Sequence, residues 1–288
     1  MKSKPRVAYS PGTGEHGIRK SAVNRRLFTV LLAAALSCAM AACATSPLGR
    51  RQLAFFPDAQ LAEMGTVAFS DLKAKTPVSN VPTTNTYVRC VADSLTKVLT
   101  PAESQVRTWE VVVFASKDAN AFALPGGKIG VYRGLLDVAK TQDQLAAVIG
   151  HEIAHVLARH SNERVSQAYT AQVTLAGLGQ SGAVSGPMMA ALGLGTQVGI
   201  LLPFGRTQES EADLMGLDLM ARAGFDPRQA VVLWQNMNAA RTSGAPPEFL
   251  STHPSDATRT AKLNARMLSA IALYDAARAA GRRPRCGP

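Results

Sequence analysis

The sequence is poor in cysteine, histidine and aromatic residues. Of its 288 residues, four are cysteine, five are histidine and 6% are aromatic. Cys90 and Cys286 do not have the close spacing of a cysteine metal site, so this class of metal centre is excluded. The apolar content is ample for a core, and the length allows one large domain or two small ones.

Acidic residues are also scarce, with 20 Asp and Glu against 31 Lys and Arg, which gives a net charge of +11. Residues 1–42 hold seven basic residues against Glu15 alone, so +6 of this charge lies there and +5 in the remainder. The remaining excess is modest and scattered. The sequence therefore argues against nucleic acid as a partner.

No apolar run is long enough to span a bilayer comfortably. The run Leu27–Leu36 follows the basic pair Arg25-Arg26 and precedes small residues, which is the layout of an export signal. Met40–Cys43 resembles a bacterial lipobox, so we expect residues 1–42 to be removed and Cys43 to be lipidated. Cys38 is a second candidate for lipidation, and cleavage by an ordinary signal peptidase would instead give a soluble periplasmic form. The arginine pair also has a faint likeness to a twin-arginine signal.

A second apolar stretch, residues 174–205, is rich in glycine. Gly182, Gly186 and Pro187 divide it into pieces that are too short or too polar to span a membrane well. We expect this stretch to form two loosely packed helices beside the helix described next. Their alternative roles are packing in the core, contact with a membrane surface and covering the cleft.

The strongest motif is His151-Glu152-Ile153-Ala154-His155, which reads HExxH. The surrounding run, residues 144–160, has apolar residues at helical spacing and no proline, which predicts one buried or amphipathic helix. Histidines four residues apart share a helix face and can present two nitrogens to one zinc ion. The alternative is two core histidines that bracket a glutamate, and chance gives this pattern in roughly one such chain in a few hundred.

A small sheet is predicted to precede this helix. Residues 109–115 are β-branched and aromatic, and residues 120–132 look like two strands joined by a Pro-Gly-Gly turn. The turn suits an exposed sheet edge at Asn120, Ala121, Phe122 and Ala123 that could bind an extended peptide by strand addition. An ordinary hairpin packed on the helix is the alternative.

Three acidic residues follow at the start of another helical pattern. Glu209 and Asp213 lie four residues apart and face the same way, whereas Glu211 is expected to point elsewhere. One carboxylate can complete a zinc site and the other can hold a histidine ligand by its free ring N–H. An acidic first turn that complements the helix dipole is the alternative.

Together these segments resemble the zinc metallopeptidases that include the CAAX prenyl protease, HtpX, BepA, LoiP and the mitochondrial OMA-type enzyme. The resemblance covers roughly Leu53 to Arg266. It rests on NAFALPGG at Asn120–Gly127, HEIAH at His151–His155, ESEAD at Glu209–Asp213 and STHPS at Ser251–Ser255. The chain is most similar to the minimal exported lipoprotein type.

The resemblance implies one zinc ion per chain, with His151, His155 and Glu209 as ligands. It implies Glu152 as the general base and Asp213 as support for a histidine ligand. The implied fold is α+β and mostly helical, with a zincin-like metallopeptidase domain at residues 56–270 and a small sheet before the HExxH helix. A linker at 43–55 precedes this domain, and a basic tail at 271–288 follows it.

The implied activity is hydrolysis of peptide bonds in unfolded or misassembled proteins of the bacterial envelope. The protein would face the periplasm, lipid-anchored at the outer membrane, with envelope assembly machinery as a potential partner. The alternative is a chaperone or assembly factor with a latent zinc site.

Three residue roles stay open. His253 can donate to the oxyanion of the tetrahedral intermediate, bind zinc as a fourth ligand that keeps the enzyme latent, or cap a loop. His160, nine residues past His151, is expected well round the same helix, where it makes a structural hydrogen bond. In an oxidising compartment Cys90 and Cys286 form either a disulfide or two free thiols.

Overall fold

The structure is a computed structural model that describes residues 43–177, 204–242, 248–253 and 258–287. The expected signal peptide, including Cys38, lies outside these residues, as does most of the glycine-rich stretch. Residues Thr45–Pro288 form one compact unit.

The unit is mostly helical with short strands, which confirms the predicted α+β class. The strands are β1 (Cys43–Thr45), β2 (Arg51–Leu53), β3 (Glu110–Phe114), β4 (Ala121–Leu124) and β5 (Lys128–Tyr132). The helices are α1 (Asp58–Lys75), α2 (Pro82–Thr96), α3 (Gln142–Leu157), α4 (His160–Gly177), α5 (Arg206–Arg222), α6 (Arg228–Thr242), α7 (Phe249–Thr252) and α8 (Arg259–Ala279), with a 3₁₀ turn at Arg133–Asp137.

The small sheet has the strand order β3-β5-β4. β3 runs parallel to β5, and β4 runs antiparallel to it with Ala121 opposite Val131 and Ala123 opposite Ile129. Gly126 in the connecting turn has a φ of +84°, a conformation that favours glycine. β4 is therefore an outer strand of this sheet, and the side chains of Ala121, Ala123 and Leu124 in it are buried.

Helix α3 lies at the centre of the core. The Thr141 side chain caps its start by accepting from the backbone N–H of Gln144. Leu145, Ile149 and Ile153 are fully buried, and burial of side chains of this size contributes about 1.5–3 kcal/mol each. Because so much of its surface is covered, α3 can hold its polar side chains in fixed positions.

Helices α3 and α5 approach closely at two glycines, Gly150 and Gly216. A Cβ on Gly216 would lie 2.7 Å from the backbone nitrogen of His151, closer than packed atoms allow. The absence of a side chain here lets α5 lie directly beside the motif of α3.

The C-terminal segment is attached to the start of α3 and to α2. The Gln142 side chain donates to the carbonyl of Pro284 and accepts from the N–H of Cys286. A disulfide joins Cys90 of α2 to Cys286, with their Cα atoms 5.5 Å apart. The bridge and the two hydrogen bonds fix the end of the chain against both helices.

The expectation of one helix through His160 is wrong. Helix α3 ends at Leu157, and Arg159 adopts a left-handed backbone conformation with a φ of +56° before α4 begins at His160. This break turns the chain back, so that His160 faces the motif of α3 and does not lie round the same helix.

Among the helices in the described ranges, none is long and apolar enough to cross a membrane.

Candidate metal centre

Four buried side chains from three parts of the chain meet at one point. His151 and His155 come from consecutive turns of α3, Glu209 comes from the first turn of α5, and His253 directly follows α7. One donor atom from each lies within 4.8 Å of the other three. The helical spacing of HExxH accounts for the first two, and the close approach of α5 to α3 brings in the third.

Four of the separations between these donor atoms fit a tetrahedral zinc ion. His155 Nε2 lies 3.0 Å from His151 Nε2 and 3.4 Å from Glu209 Oε1. His253 Nδ1 lies 3.2 Å from His151 Nε2 and 3.0 Å from Glu209 Oε1. Tetrahedral ligands at the usual zinc distances are about 3.3 Å apart, so these residues fit the metal that the motif predicts.

His151 and Glu209 are each held by a second group. Asp213 Oδ1 lies 3.0 Å from His151 Nδ1, the ring nitrogen that faces away from the cluster. Arg259 donates to Asp213 Oδ2 and to Glu209 Oε2, both at 2.6 Å, and its guanidinium lies 3.8 Å from the ring centre of Trp234. A carboxylate on the free nitrogen fixes the ring orientation and makes the histidine a better ligand.

The pKa values of the two α3 histidines shift in opposite directions. Burial would lower the pKa of His151, but the hydrogen bond with Asp213 and the charge of Glu209 raise it. Burial lowers the pKa of His155 well below its usual range, which keeps its imidazole neutral. A neutral ring is the form that binds a metal ion.

Glu209 keeps its charge although it is buried. Burial would raise its pKa, but hydrogen bonds with His155 and His253 and the charge of His151 lower it strongly. The site therefore contains one permanent carboxylate next to three imidazoles, a donor set that suits a divalent cation.

Glu152 lies beside the donor cluster and not in it. Its Oε2 accepts from the backbone N–H of Ala123 in β4 at 3.2 Å. Its Oε1 is buried, has no hydrogen bond partner among the described residues and lies 3.3 Å from His253 Nε2. Burial raises the pKa of this carboxyl group, so it can accept and hold a proton closer to neutral pH than an exposed glutamate can.

The outer strand β4 passes next to Glu152. The carbonyl of Asn120 accepts from the N–H of Tyr132, which directs the Asn120 peptide oxygen toward β5. Alternation in an antiparallel ladder then directs the backbone polar groups of Ala121 and Ala123 toward the outer edge, while those of Phe122 face β5. The structure thus brings the expected edge residues to the same region as the donor cluster.

Two aromatic rings enclose the histidines. Phe204 stacks on His155 with ring centres 3.7 Å apart, and Phe249 stacks on His253 at 4.3 Å. No local sequence pattern indicates a role for Phe204, Phe249 or Arg259, because each lies far from HExxH along the chain. No spacing rule connects them to the motif.

The acidic residue expected to point elsewhere, Glu211, is buried and has its own partners. Burial would raise its pKa, but hydrogen bonds with His160, Ser46 and Arg50 lower it to about 2. Cys43, the expected lipidation site, lies at the first described position, and its side chain is not described.

Comparisons with known proteins agree with this geometry. Residues 82–267, well over half of the chain, match the family described as Peptidase family M48. The chain is 43% identical over 162 residues to the mitochondrial metalloendopeptidase OMA1 of Schizosaccharomyces pombe, which covers 54% of this chain and 45% of that protein. It is 31% identical over 212 residues to the beta-barrel assembly-enhancing protease of Escherichia coli, which covers 70% of this chain and 42% of that protein. The chain spans less than half the length of these two relatives.

Proposed function

The chain belongs to peptidase family M48, a family of zinc metallopeptidases, and from this membership we propose that it is a zinc-dependent endopeptidase. One observation carries the proposal. Four metal donors lie within 4.8 Å of one another, and a buried glutamate lies directly beside them with a carboxylate oxygen that has no hydrogen bond partner among the described residues. A structural zinc site has no need of such a group.

In this proposal His151, His155 and Glu209 hold the zinc ion. When bound, zinc lowers the pKa of a water molecule and polarises the scissile carbonyl. Glu152 accepts the proton of the attacking water on its free oxygen and later delivers a proton to the leaving amine. The N–H of Ala123 keeps the carboxylate in place by its bond to Oε2.

An extended substrate would bind along β4. The N–H of Ala123 is already bound to Glu152, so the outward-directed groups of Ala121 and the carbonyl of Ala123 offer the hydrogen bonds of an added strand, with Asn120 and Phe122 beside them. Peptide substrates N-methylated at one amide at a time test this arrangement. If the substrate binds as an added strand, N-methylation should lower the cleavage rate at every second amide. Equal effects at all amides would contradict strand addition.

His253 is proposed to restrain the enzyme as a fourth ligand. Catalytic zinc sites keep one position open for water and substrate, and a fourth protein ligand closes it. The location of His253 Nδ1 among the donors, 3.0 Å from Glu209, supports this role over loop capping. The same location favours the second candidate function, a chaperone or assembly factor with a latent zinc site.

Hydrolysis of casein by the zinc-loaded protein tests the proposed activity. We expect Glu152→Gln to abolish the cleavage that wild type performs, and Glu63→Gln, at an exposed position of α1, to leave it unchanged. His253→Ala should cleave faster than wild type. If neither wild type nor His253→Ala cleaves while zinc is bound, the endopeptidase proposal fails and the latent function replaces it.

We also propose that the protein acts in the bacterial envelope on unfolded or misassembled proteins, anchored by a lipid on Cys43. The lipobox-like segment and the similarity to an assembly-enhancing protease support this location. Labelling with a radioactive fatty acid tests the anchor in cells. Cys43→Ser should lose the label, whereas Cys38→Ser should keep it. The reverse pattern would make Cys38 the lipidated residue.

A further inference from the structure

A line of buried polar groups leads away from the metal donors through His155. Its Nε2 lies in the donor cluster, and its Nδ1 lies 2.9 Å from His160 Nδ1. His160 Nε2 lies 3.2 Å from Glu211 Oε2. His160 is fully buried and Glu211 nearly so, so these contacts do not compete with bulk water.

One arrangement of protons satisfies every group in this line. A histidine that binds a metal through Nε2 carries its proton on Nδ1, so His155 must donate to His160 Nδ1. His160 then carries its own proton on Nε2 and donates it to the carboxylate of Glu211. Metal binding at His155 and the orientation of His160 are therefore compatible in a single hydrogen-bonded set.

The line ends on Arg50, in the turn between β1 and β2. Arg50 Nε donates to Glu211 at 3.0 Å, and its two terminal nitrogens donate to Glu163 at 2.6 and 2.7 Å. Glu163 lies in α4, as His160 does, and Glu211 lies in α5. One guanidinium thus binds both helices that carry the middle of the line, α4 with His160 and α5 with Glu211.

The turn that carries Arg50 is itself ordered by local bonds. The N–H of Ser46 donates to the Arg50 carbonyl at 2.8 Å, and the Arg50 N–H donates to Ser46 Oγ at 3.1 Å. Gln52 Oε1 accepts from Arg50 at 3.2 Å. The guanidinium is therefore presented from a closed turn, and its two carboxylate partners are almost fully buried.

We propose that His160, Glu211 and Arg50 are positioning residues for the zinc ligand His155, and that Arg50 makes the turn between β1 and β2 part of the metal centre. The proposal rests on the zinc site of the proposed function but not on its peptidase activity. Asp213 supports His151 in the same way, through the ring nitrogen that faces away from the donors. Each of the two α3 histidines would then be oriented by a carboxylate, His151 directly by Asp213 and His155 through His160 by Glu211.

The test is the zinc dissociation constant of the full chain, measured by competition with a chelator. His160→Phe keeps a ring but has no nitrogen, and Arg50→Lys keeps the charge but cannot bind two carboxylates as a fork. We expect each to weaken zinc binding about 10-fold or more. Arg51→Lys, at an exposed neighbouring position, should bind zinc as wild type does.

Two further variants separate positioning from general stability. Glu211→Gln can still accept a hydrogen bond from His160, so it should keep more zinc affinity than Glu211→Ala. The visible spectrum of the cobalt-substituted protein should change in His160→Phe, because it reports the ligand geometry directly. Circular dichroism of the zinc-free variants shows whether they are folded.

The proposal is overturned if folded His160→Phe and Arg50→Lys bind zinc within about twofold of wild type, well short of the loss expected for a supporting group. It is also overturned if Glu211→Gln and Glu211→Ala lose affinity equally. Should His160→Phe fail to fold, Arg50→Lys and the Glu211 pair decide the question. A wild-type chain that binds zinc without cleaving casein would contradict the proposed activity and leave this measurement intact.

Discussion

Replacing Gly216 by alanine should loosen the metal centre, although Gly216 itself supplies no metal ligand. The new Cβ would lie 2.7 Å from His151 N and 2.9 Å from its Cα, where ordinary contacts begin at 3.4 Å. Helices α3 and α5 must therefore move apart by about 0.5–0.7 Å. His151 lies on one of these helices and Glu209 on the other, so the shift separates two donors.

The magnitude of the effect should differ between stability and zinc affinity. Overpacking costs about 1–3 kcal/mol, but alanine gains about 1 kcal/mol over glycine within a helix. The net loss of stability in Gly216→Ala should therefore be about 0–2 kcal/mol. Metal sites tolerate ligand displacements of only about 0.2 Å, so we expect zinc affinity to fall about 10-fold or more.

A series of three glycines provides the assay. A Cβ on Gly150 would meet its nearest atom at 3.1 Å, and one on Gly205, at the start of α5, at 3.7 Å. Zinc affinity by chelator competition should fall in the order Gly205→Ala, Gly150→Ala, Gly216→Ala, with the first close to wild type. Wild-type affinity in Gly216→Ala would show that this helix contact does not set the donor geometry.

Three other predictions concern single interactions. Cys90→Ser removes a disulfide between residues 196 positions apart and should lower the free energy of unfolding by about 2–5 kcal/mol. Reduced wild type should match the variant in urea unfolding, and no change on reduction would contradict the prediction. Asp213→Asn should weaken zinc binding about 10–100-fold by chelator competition, because His151 loses a charged acceptor, and unchanged affinity would count against that support. The hydrogen bond from Arg222 lowers the pKa of Glu103 from 4.5 to about 2, so the contribution of this carboxylate to stability is full above pH 4.5 and is lost as the pH falls toward 2. In Glu103→Gln the free energy of unfolding should fall less steeply than in wild type as the pH is lowered from 4.5 toward about 2. An unchanged slope would contradict the role assigned to Glu103.

The parts of the site that follow from local periodicity could be predicted from the sequence. HExxH on a helix fixes the relation of His151 to His155, and the four-residue spacing of Glu209 and Asp213 places both on one face of α5. The Pro-Gly-Gly turn similarly predicts the outer strand β4. In each case the pattern lies within one element, so its geometry follows from helix or strand spacing.

The remaining contacts depend on tertiary packing that no local pattern encodes. The break at Arg159 has neither glycine nor proline to signal it, so the sequence predicts His160 on the wrong helix. Arg50 reaches Glu163 across 113 residues of sequence and Glu211 across 161. Such contacts depend on how the helices pack together, and the spacing of the residues along the sequence does not predict them.

Zinc-dependent peptide hydrolysis is tested most directly by the rate of casein hydrolysis as a function of zinc bound per chain, measured in His253→Ala so that the fourth position is open. We expect the rate to rise to a plateau at one zinc per chain. We also expect that adding Glu152→Gln removes hydrolysis while zinc still binds. Hydrolysis by the zinc-free protein, or no hydrolysis at full zinc occupancy, would contradict a zinc-dependent endopeptidase.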